Sequence, residues 1–229
     1  MASTVIERAT GLWTVDAPLR VGGLPMGTRT TIIRCASGGL FMHSPGPLSG
    51  VVREGIEALG DVETIVAPNC FHHFFVEENV RAWPNAKVYL APGLRERKPK
   101  LPAAEALSSD AVPAALAGDL EMHIVAGAPR MGEVVFFHGQ SRTLLLTDLA
   151  FNVRSVEGAI ARLGMKLMGV YGRFGSSRLE KSVFFRDRKA VRDSLDHILA
   201  WDFDRIVVTH GEIVESGGRG LFLEAFRDI

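Results

Sequence analysis

Three short runs of β-branched or leucine residues, each followed at once by polar side chains, constrain this chain more than any other feature. Thr64-Ile65-Val66 leads to Asn69-Cys70-Phe71-His72-His73, Leu144-Leu145-Leu146 to Asp148, and Ile206-Val207-Val208 to His210. Short apolar runs bounded by turn signals read as buried strands rather than helices. Three strand ends that each deliver a His or an Asp point to one site assembled along the rim of a sheet. Such residues, brought from distant positions, can hold a divalent metal, and a held metal activates water.

The runs sit in a regular frame. Gly11–Val15 and Thr30–Arg34 read as strands, the first anchored by Trp13. Ser37-Gly38-Gly39 turns the chain into a strand at Leu40–His43, and two apolar runs about a Gly-Gly pair are a hairpin signal. Ser49 caps a helix over Val51–Leu59, where Val52, Ile56 and Leu59 keep helical spacing. Val62–Ala67, the Asn69–Phe74 loop, a helix over Val76–Ala82 and a strand at Lys87–Leu90 make a βαβ unit. Pro99–Pro113 reads as a surface loop. Glu121–Val125 is a strand, and Glu133–His138 with Arg142–Thr147 is a second hairpin about Gly139-Gln140-Ser141. Ser155–Leu179 reads as helical or irregular. A helix over Lys189–Trp201, a strand at Arg205–Val208 and a short helix at Leu221–Phe226 close the chain. The expected architecture is a single α/β domain over residues 1–229, an αββα sandwich of two mixed sheets with helices on the outer faces.

Composition narrows the function. With 229 residues, 47% of them hydrophobic, the chain can bury a sizeable core. Its 26 Lys and Arg balance 26 Asp and Glu, which favours neither nucleic acid nor an acidic membrane surface as partner. The basic stretch Arg95–Lys100 contains Glu96, has no interleaved aromatics and reads as a solvated loop. Two cysteines, Cys35 and Cys70, do not make a disulfide framework, so a reducing cytoplasm is the expected compartment. Met1–Arg8 lacks the pattern of an export signal, and no apolar run reaches the roughly 18 residues of a membrane span. Phosphate-binding glycine loops, Gly-x-Ser-x-Gly elbows and Cys-x-x-Cys pairs do not occur.

Each candidate also has a bland reading. His72 and His73 lie in a loop before a helix, where adjacent side chains can both turn to one centre; alternatively one makes a local hydrogen bond and the other is exposed. Asp148 stands among Leu146, Leu149 and Phe151, where a carboxylate is costly unless paired or bound to metal, or else caps a turn. His210 precedes Gly211, which lets the chain turn sharply, and is otherwise a satisfied core histidine. His43, at a strand end, either orients a ligand from behind or, the reading the residue alone favours, is a buried hydrogen-bonded histidine, and Glu133 is placed for the same orienting role. His138, at a hairpin tip, reads as structural, and Cys70 as a small buried side chain.

Read together, these features resemble the metallo-β-lactamase-like superfamily, and more closely a branch of it defined as a domain of unknown function. The resemblance rests on Leu12-Trp13-Thr14-Val15-Asp16, on Gly39–Pro45, and on Ala67-Pro68-Asn69 with His72-His73. It continues through Pro84–Tyr89, Glu133–His138, Ser141–Leu144, Thr147-Asp148 and Thr209-His210-Gly211. It implies the αββα fold with a site between the sheet edges. The superfamily motif is Thr-His-x-His-x-Asp-His, followed by a lone His, a bridging Asp and a last His before Gly. Asp148 matches the bridging Asp and His210 the last His. The first motif is degraded. Aligned at Pro68, it sets Asn69 and Phe71 on the first two His positions, His73 on the Asp and Phe74 on the final His; shifted by one, it sets His72-His73 on the Asp-His pair. The lone His falls near Pro129, where the chain has none and Glu133 is close by.

Two readings follow. In the first, His72, His73, Asp148 and His210 hold one divalent metal, zinc before iron or manganese, for hydrolysis of a small ester, thioester or lactone. Asn69 then donates to a developing oxyanion, and whichever of His73 and His72 is not a ligand can serve as general base. In the second, the protein is metal-free and catalytically silent, binds a small molecule or a protein partner, and pairs Asp148 with a histidine or with Arg142.

Overall fold

A computed structural model describes residues 3–108 and 110–229. Residues 1–2, within the stretch read for an export signal, and residue 109, within the Pro99–Pro113 segment, lie outside the described residues. The first half of the chain runs through β1 (Val5–Ala9), β2 (Leu12–Ala17), a small hairpin of β3 (Arg20–Val21) and β4 (Leu24–Pro25), β5 (Thr28–Arg34) and β6 (Leu40–His43). It continues with α1 (Gly50–Glu57), β7 (Val62–Ala67), α2 (Val76–Ala82), β8 (Lys87–Leu90), α3 (Leu94–Arg97) and β9 (Glu105–Ala106). The second half contains β10 (Leu120–Ile124), β11 (Val134–His138), β12 (Thr143–Leu146), β13 (Phe151–Asn152), α4 (Ala159–Met168) and β14 (Phe174–Gly175). After a π-helical turn at Glu180–Phe184 come α5 (Arg188–Leu199), β15 (Arg205–Val208) and α6 (Gly218–Ala225).

Two mixed sheets result. One has seven strands in the order β1-β2-β5-β6-β7-β8-β9, antiparallel as far as β6 and parallel beyond. The other has four in the order β10-β11-β12-β15, with only β12 and β15 parallel. Strand alternation sorts the layers. Ile33, Phe41, Val66 and Tyr89 of the first sheet meet Met122, Phe136, Leu145 and Val207 of the second in the central core. Their neighbours Ile32, Met42 and Ile65 point outward to Val52 and Ile56 of α1. On the far side Phe137, Leu146 and Ile206 pack on Val191 and Leu195 of α5 and on Phe222 of α6. Each fully buried side chain of this size is worth about 1.5–3 kcal/mol, so the αββα layering follows from the alternation. Ser49 Oγ accepts from Val52 N at 3.3 Å and starts α1, and Asp187 does the same for α5 through Ala190 N at 3.0 Å.

Several features differ from the sequence-based expectation, the pairing of Glu105–Ala106 with β8 inside the segment read as a surface loop among them. The strand β1 was not anticipated; its exposed Ile6 and Glu7 give it no apolar stripe. Part of the basic stretch forms α3, and the guanidinium of Arg95 bonds the carbonyls of Leu101 and Pro102 while that of Arg97 bonds Arg130 O. Arg142 does not reach Asp148: it sits at the tip of the β11–β12 hairpin and pairs with Asp202 at 2.7 Å. Among the described residues no helix is long and apolar enough to cross a membrane.

The parallel pairing fixes where the polar strand ends emerge. Leu146 of β12 is in register with Val208 of β15, so Asp148 and His210, each two residues further on, leave the sheet at one level. The end of β7 is joined to that rim by Val134 N to Pro68 O at 2.8 Å and Cys70 N to Met131 O at 2.9 Å. Buried Arg29 of β5 closes the other side, pairing with Asp16 at 2.6 Å and donating to Val208 O at 2.5 Å.

Candidate metal centre

The loop after β7 is shaped by Asn69. Its Oδ1 accepts from Phe71 N at 2.9 Å and His72 N at 2.8 Å, a side-chain-built turn that swings His72 inward. His72 Nδ1 lies 2.9 Å from Ser44 Oγ, at the end of β6, where Ser44 adopts a left-handed φ of 54°. His210 is held from the opposite sheet. Its Nδ1 is 2.8 Å from Gly27 O, and its ring stacks on Phe151 with centroids 5.5 Å apart. Gly211 has a φ of 99°, and a Cβ there would lie 2.3 Å from Asn152 O, so only glycine lets the chain turn directly after His210.

Three residues converge. His72 Nε2 is 3.3 Å from Asp148 Oδ2, His210 Nε2 is 3.4 Å from Asp148 Oδ1, and the two Nε2 atoms are 3.2 Å apart. A carbonyl only accepts, so Gly27 O places the proton of neutral His210 on Nδ1 and leaves Nε2 a lone pair. The Ser44 hydroxyl can donate to or accept from His72 Nδ1; where His72 donates, two lone pairs and a carboxylate face one point. That arrangement is repulsive unless a cation or a proton occupies it. The donor set fits a cation: two imidazole nitrogens and a carboxylate are ordinary zinc ligands at bonds of about 2.0–2.2 Å, and the donor atoms lie within 4.8 Å of one another. Electrostatics agree. Burial works against the Asp148 charge, but His72 and His210 outweigh it and hold the carboxyl well below the usual carboxylate range. Burial would depress His72, yet the Asp148 carboxylate raises its proton affinity above the ordinary value.

Behind the triad stands a buried acidic frame. Glu133 is fully buried and accepts from the backbone N–H of Thr147 at 2.7 Å, Asp148 at 3.1 Å and Leu149 at 3.3 Å. Asn69 Nδ2 donates to Asp148 Oδ2 at 2.7 Å and to Glu133 Oε2 at 2.9 Å, with Thr147 Oγ1 at 3.1 Å. Burial and the Asp148 charge push the Glu133 carboxyl up, while its bonds to Thr147 and Asn69 pull it down.

The sequence-predicted residues divide accordingly. His72, Asp148 and His210 come together, and Glu133 orients Asp148 through the backbone. His73 is not brought into the group: its ring packs on Phe74 at 4.6 Å, and burial and then Lys98 lower its proton affinity. Asn69 is fully buried with its amide spent on two carboxylates, so it positions Asp148 and is not free to donate to an oxyanion. His43 packs edge-on against Phe136 at 5.6 Å, its Nε2 has no hydrogen-bond partner among the described residues, and burial followed by His72 lowers its pKa to about 3. The orienting contact to His72 comes from the next residue, Ser44.

Sequence reasoning missed Glu180. It lies on the π-helical turn with Ser177 Oγ on its carboxylate, and it lines a cavity of about 270 Å³ whose floor is His72, Asp148 and His210. Burial, then the charge of Asp148, raises its pKa to about 7. Only the coincidence of a lone Glu with an irregular segment could have signalled it.

Two facing mixed sheets, outer helices and a metal-type triad on their shared rim define the metallo-β-lactamase fold. A metallo-β-lactamase from Pontibacter korlensis superposes with a TM-score of 0.67 over 100% of both chains at 13% identity. The mono-zinc form of the metallo-β-lactamase FIM-1 from Pseudomonas aeruginosa gives 0.65 over 99% of this chain and 94% of that one, at 14% identity. The metal-soaked Flv1 flavodiiron core from Synechocystis sp. PCC6803 gives 0.67 over 99% of this chain and 61% of that one, at 10% identity. At such identities the likeness is one of fold. No curated protein matches the sequence. The chain belongs to the family described as domain of unknown function (DUF4336), whose model matches residues 10–175.

Proposed function

We propose that this protein is a hydrolase of a small ester, thioester or lactone that works with one divalent cation, zinc before iron or manganese, held by His72, Asp148 and His210. The observation that carries this reading is the convergence of two imidazole nitrogens and a carboxylate on the floor of an apolar pocket. A cation bound there supplies Lewis acidity and lowers the pKa of water. Three protein donors and an open side toward a cavity are the pattern of a catalytic rather than a structural site. Ser44 and Gly27 fix the ring orientations of His72 and His210, and Glu133 and Asn69 fix the carboxylate of Asp148. Glu180 lines the same cavity, and burial, the largest cause, raises its carboxyl pKa; it is placed to hold and return a proton there, the task of a general acid–base. Aromatic walls keep bulk water from the reacting groups.

The test is hydrolysis of p-nitrophenyl butyrate and a γ-lactone by zinc-loaded and by chelator-treated protein. Activity lost on chelation and restored by zinc is the expected result, and Glu180→Gln should lower kcat about 100-fold at unchanged zinc content. Equal activity in metal-free protein would overturn the reading. One observation favours a second reading: the raised proton affinity of His72 lets a proton, rather than a metal, satisfy the same convergence. The protein would then be a silent binder of a small molecule or a partner, and Asp148→Ala would cost stability without changing metal content.

A further inference from the structure

The cavity above the triad is chemically one-sided. Its walls are Phe71, Phe74, Phe75, Phe151, Phe184 and Met168, with further aliphatic side chains at the mouth. Its ionisable lining, among the described residues, consists of His72, His210, Asp148 and Glu180. No lysine or arginine lines it. The nearby guanidinium groups are committed elsewhere: Arg154 to Asn152 Oδ1 and Gly172 O, Arg173 to Gly169 O and Ser176 O, Arg178 to Leu167 O. Arg29 is taken by Asp16 and Val208 O, and Lys181, beside Glu180, has Arg173, Asp228 and Arg188 as its charged neighbours.

A carboxylate or phosphate on the tail of a ligand, away from the triad, would therefore enter a desolvated apolar space with no basic side chain to receive it, which is strongly unfavourable. An alkyl chain meets the opposite situation. Phe71 reaches across to Phe184, ring centroids 5.4 Å apart, and the mouth holds Phe74, Val21 and Leu179 at 68%, 52% and 47% exposure. The three at the mouth stay in water unless something apolar covers them. At about 270 Å³ the cavity has room for a medium-length alkyl chain.

We infer that the substrate is a neutral carboxylic ester or lactone bearing a medium-length alkyl or acyl chain, with the chain against the phenylalanine walls and the carbonyl over the triad, and that substrates with an anionic tail are rejected. This rests on the hydrolase reading above for the reaction, but not for the binding. Each methylene buried should tighten binding about threefold to fourfold.

Two measurements keep the claims apart. The first is displacement of the neutral dye N-phenyl-1-naphthylamine from the full-length protein by methyl butyrate, hexanoate and octanoate, and by the monomethyl suberate anion. The second is kcat/KM of the zinc-loaded protein for p-nitrophenyl esters over the same chain lengths. Rising affinity with chain length and at least tenfold weaker binding of the suberate support the assignment, as does a parallel rise in kcat/KM. Graded binding without any turnover would sink the hydrolase reading and leave the pocket assignment standing. Flat chain-length dependence, or equal binding of the anion, overturns it even if esters are cleaved. Leu179→Arg, at a half-exposed position that tolerates a polar side chain, supplies the missing cation. It should raise affinity for monomethyl suberate at least fivefold and lower that for methyl octanoate; no change in either would contradict the assignment.

Discussion

Glu133 illustrates how much of this site is built by residues that never face the pocket. Its carboxylate receives the N–H groups of Thr147, Asp148 and Leu149, and Glu133→Ala leaves all three buried without a partner. The expected loss is about 3 kcal/mol or more in urea unfolding, together with loss of metal because Asp148 is no longer held. Glu180 is expected to act on stability through pH. Its folded pKa is raised from 4.5 to about 7, so the folded state binds more protons than the unfolded chain between those values. The stability it contributes is complete below about pH 4.5 and is lost as pH rises through 7, a change on the order of 3 kcal/mol. In metal-free protein, Glu180→Gln should remove that decline when unfolding is followed from pH 4 to pH 8; parallel profiles for the two proteins would contradict it. At this scale Asp148 and His210 were legible, because each follows an apolar strand run and His210 precedes a glycine. His72 against His73 was not, because only the turn made by Asn69 decides which ring swings inward. Glu180 was invisible, since its role comes from a cavity assembled by distant segments.

Elements set the geometry that residues use. The parallel register of β12 on β15 puts Asp148 and His210 at one height, and Gly211 permits the turn that keeps His210 there. Gly211→Ala forces a Cβ into Asn152 O and should cost about 3 kcal/mol or more, with metal affinity falling in step. Ser49→Ala, which removes the α1 cap on the outer face, should cost about 1 kcal/mol and leave metal binding unchanged. Comparing the two variants by urea midpoint and zinc titration separates damage to the rim from damage to the scaffold. The hairpins, the βαβ unit and α5 were readable because period-two and period-3.6 patterns with Gly and Ser boundaries belong to the local sequence. The β3–β4 hairpin and the π-helical turn were not. Each is short, and each is held by contacts with the rest of the fold, such as the packing of Leu24 against Gly164 of α4.

The whole molecule joins its two sheets at the site. His72 comes from the first sheet, Asp148 and His210 from the second, and Arg29 and the Gly27 carbonyl tie β5 and its lead-in to β15 and His210. A cation at the triad links both halves of the sandwich, so binding should stabilise the entire fold. At a zinc concentration 100 times Kd the gain is about 2.7 kcal/mol, a rise in Tm of about 5–10 °C for a chain of this size. His210→Ala should abolish that rise while leaving the metal-free Tm within a few degrees. The αββα layering itself was legible at this scale from the order of strand and helix patterns; the cavity was not, because its walls come from segments with no common motif.

The most direct measurement is elemental analysis of the purified chain after soaking in zinc, iron or manganese and removal of excess, beside His210→Ala and Asp148→Ala. One metal per chain in the wild type and none in either folded variant is the expected result. No metal in the wild type under any of these conditions, or metal retained in both variants, would contradict a mononuclear centre at His72, Asp148 and His210.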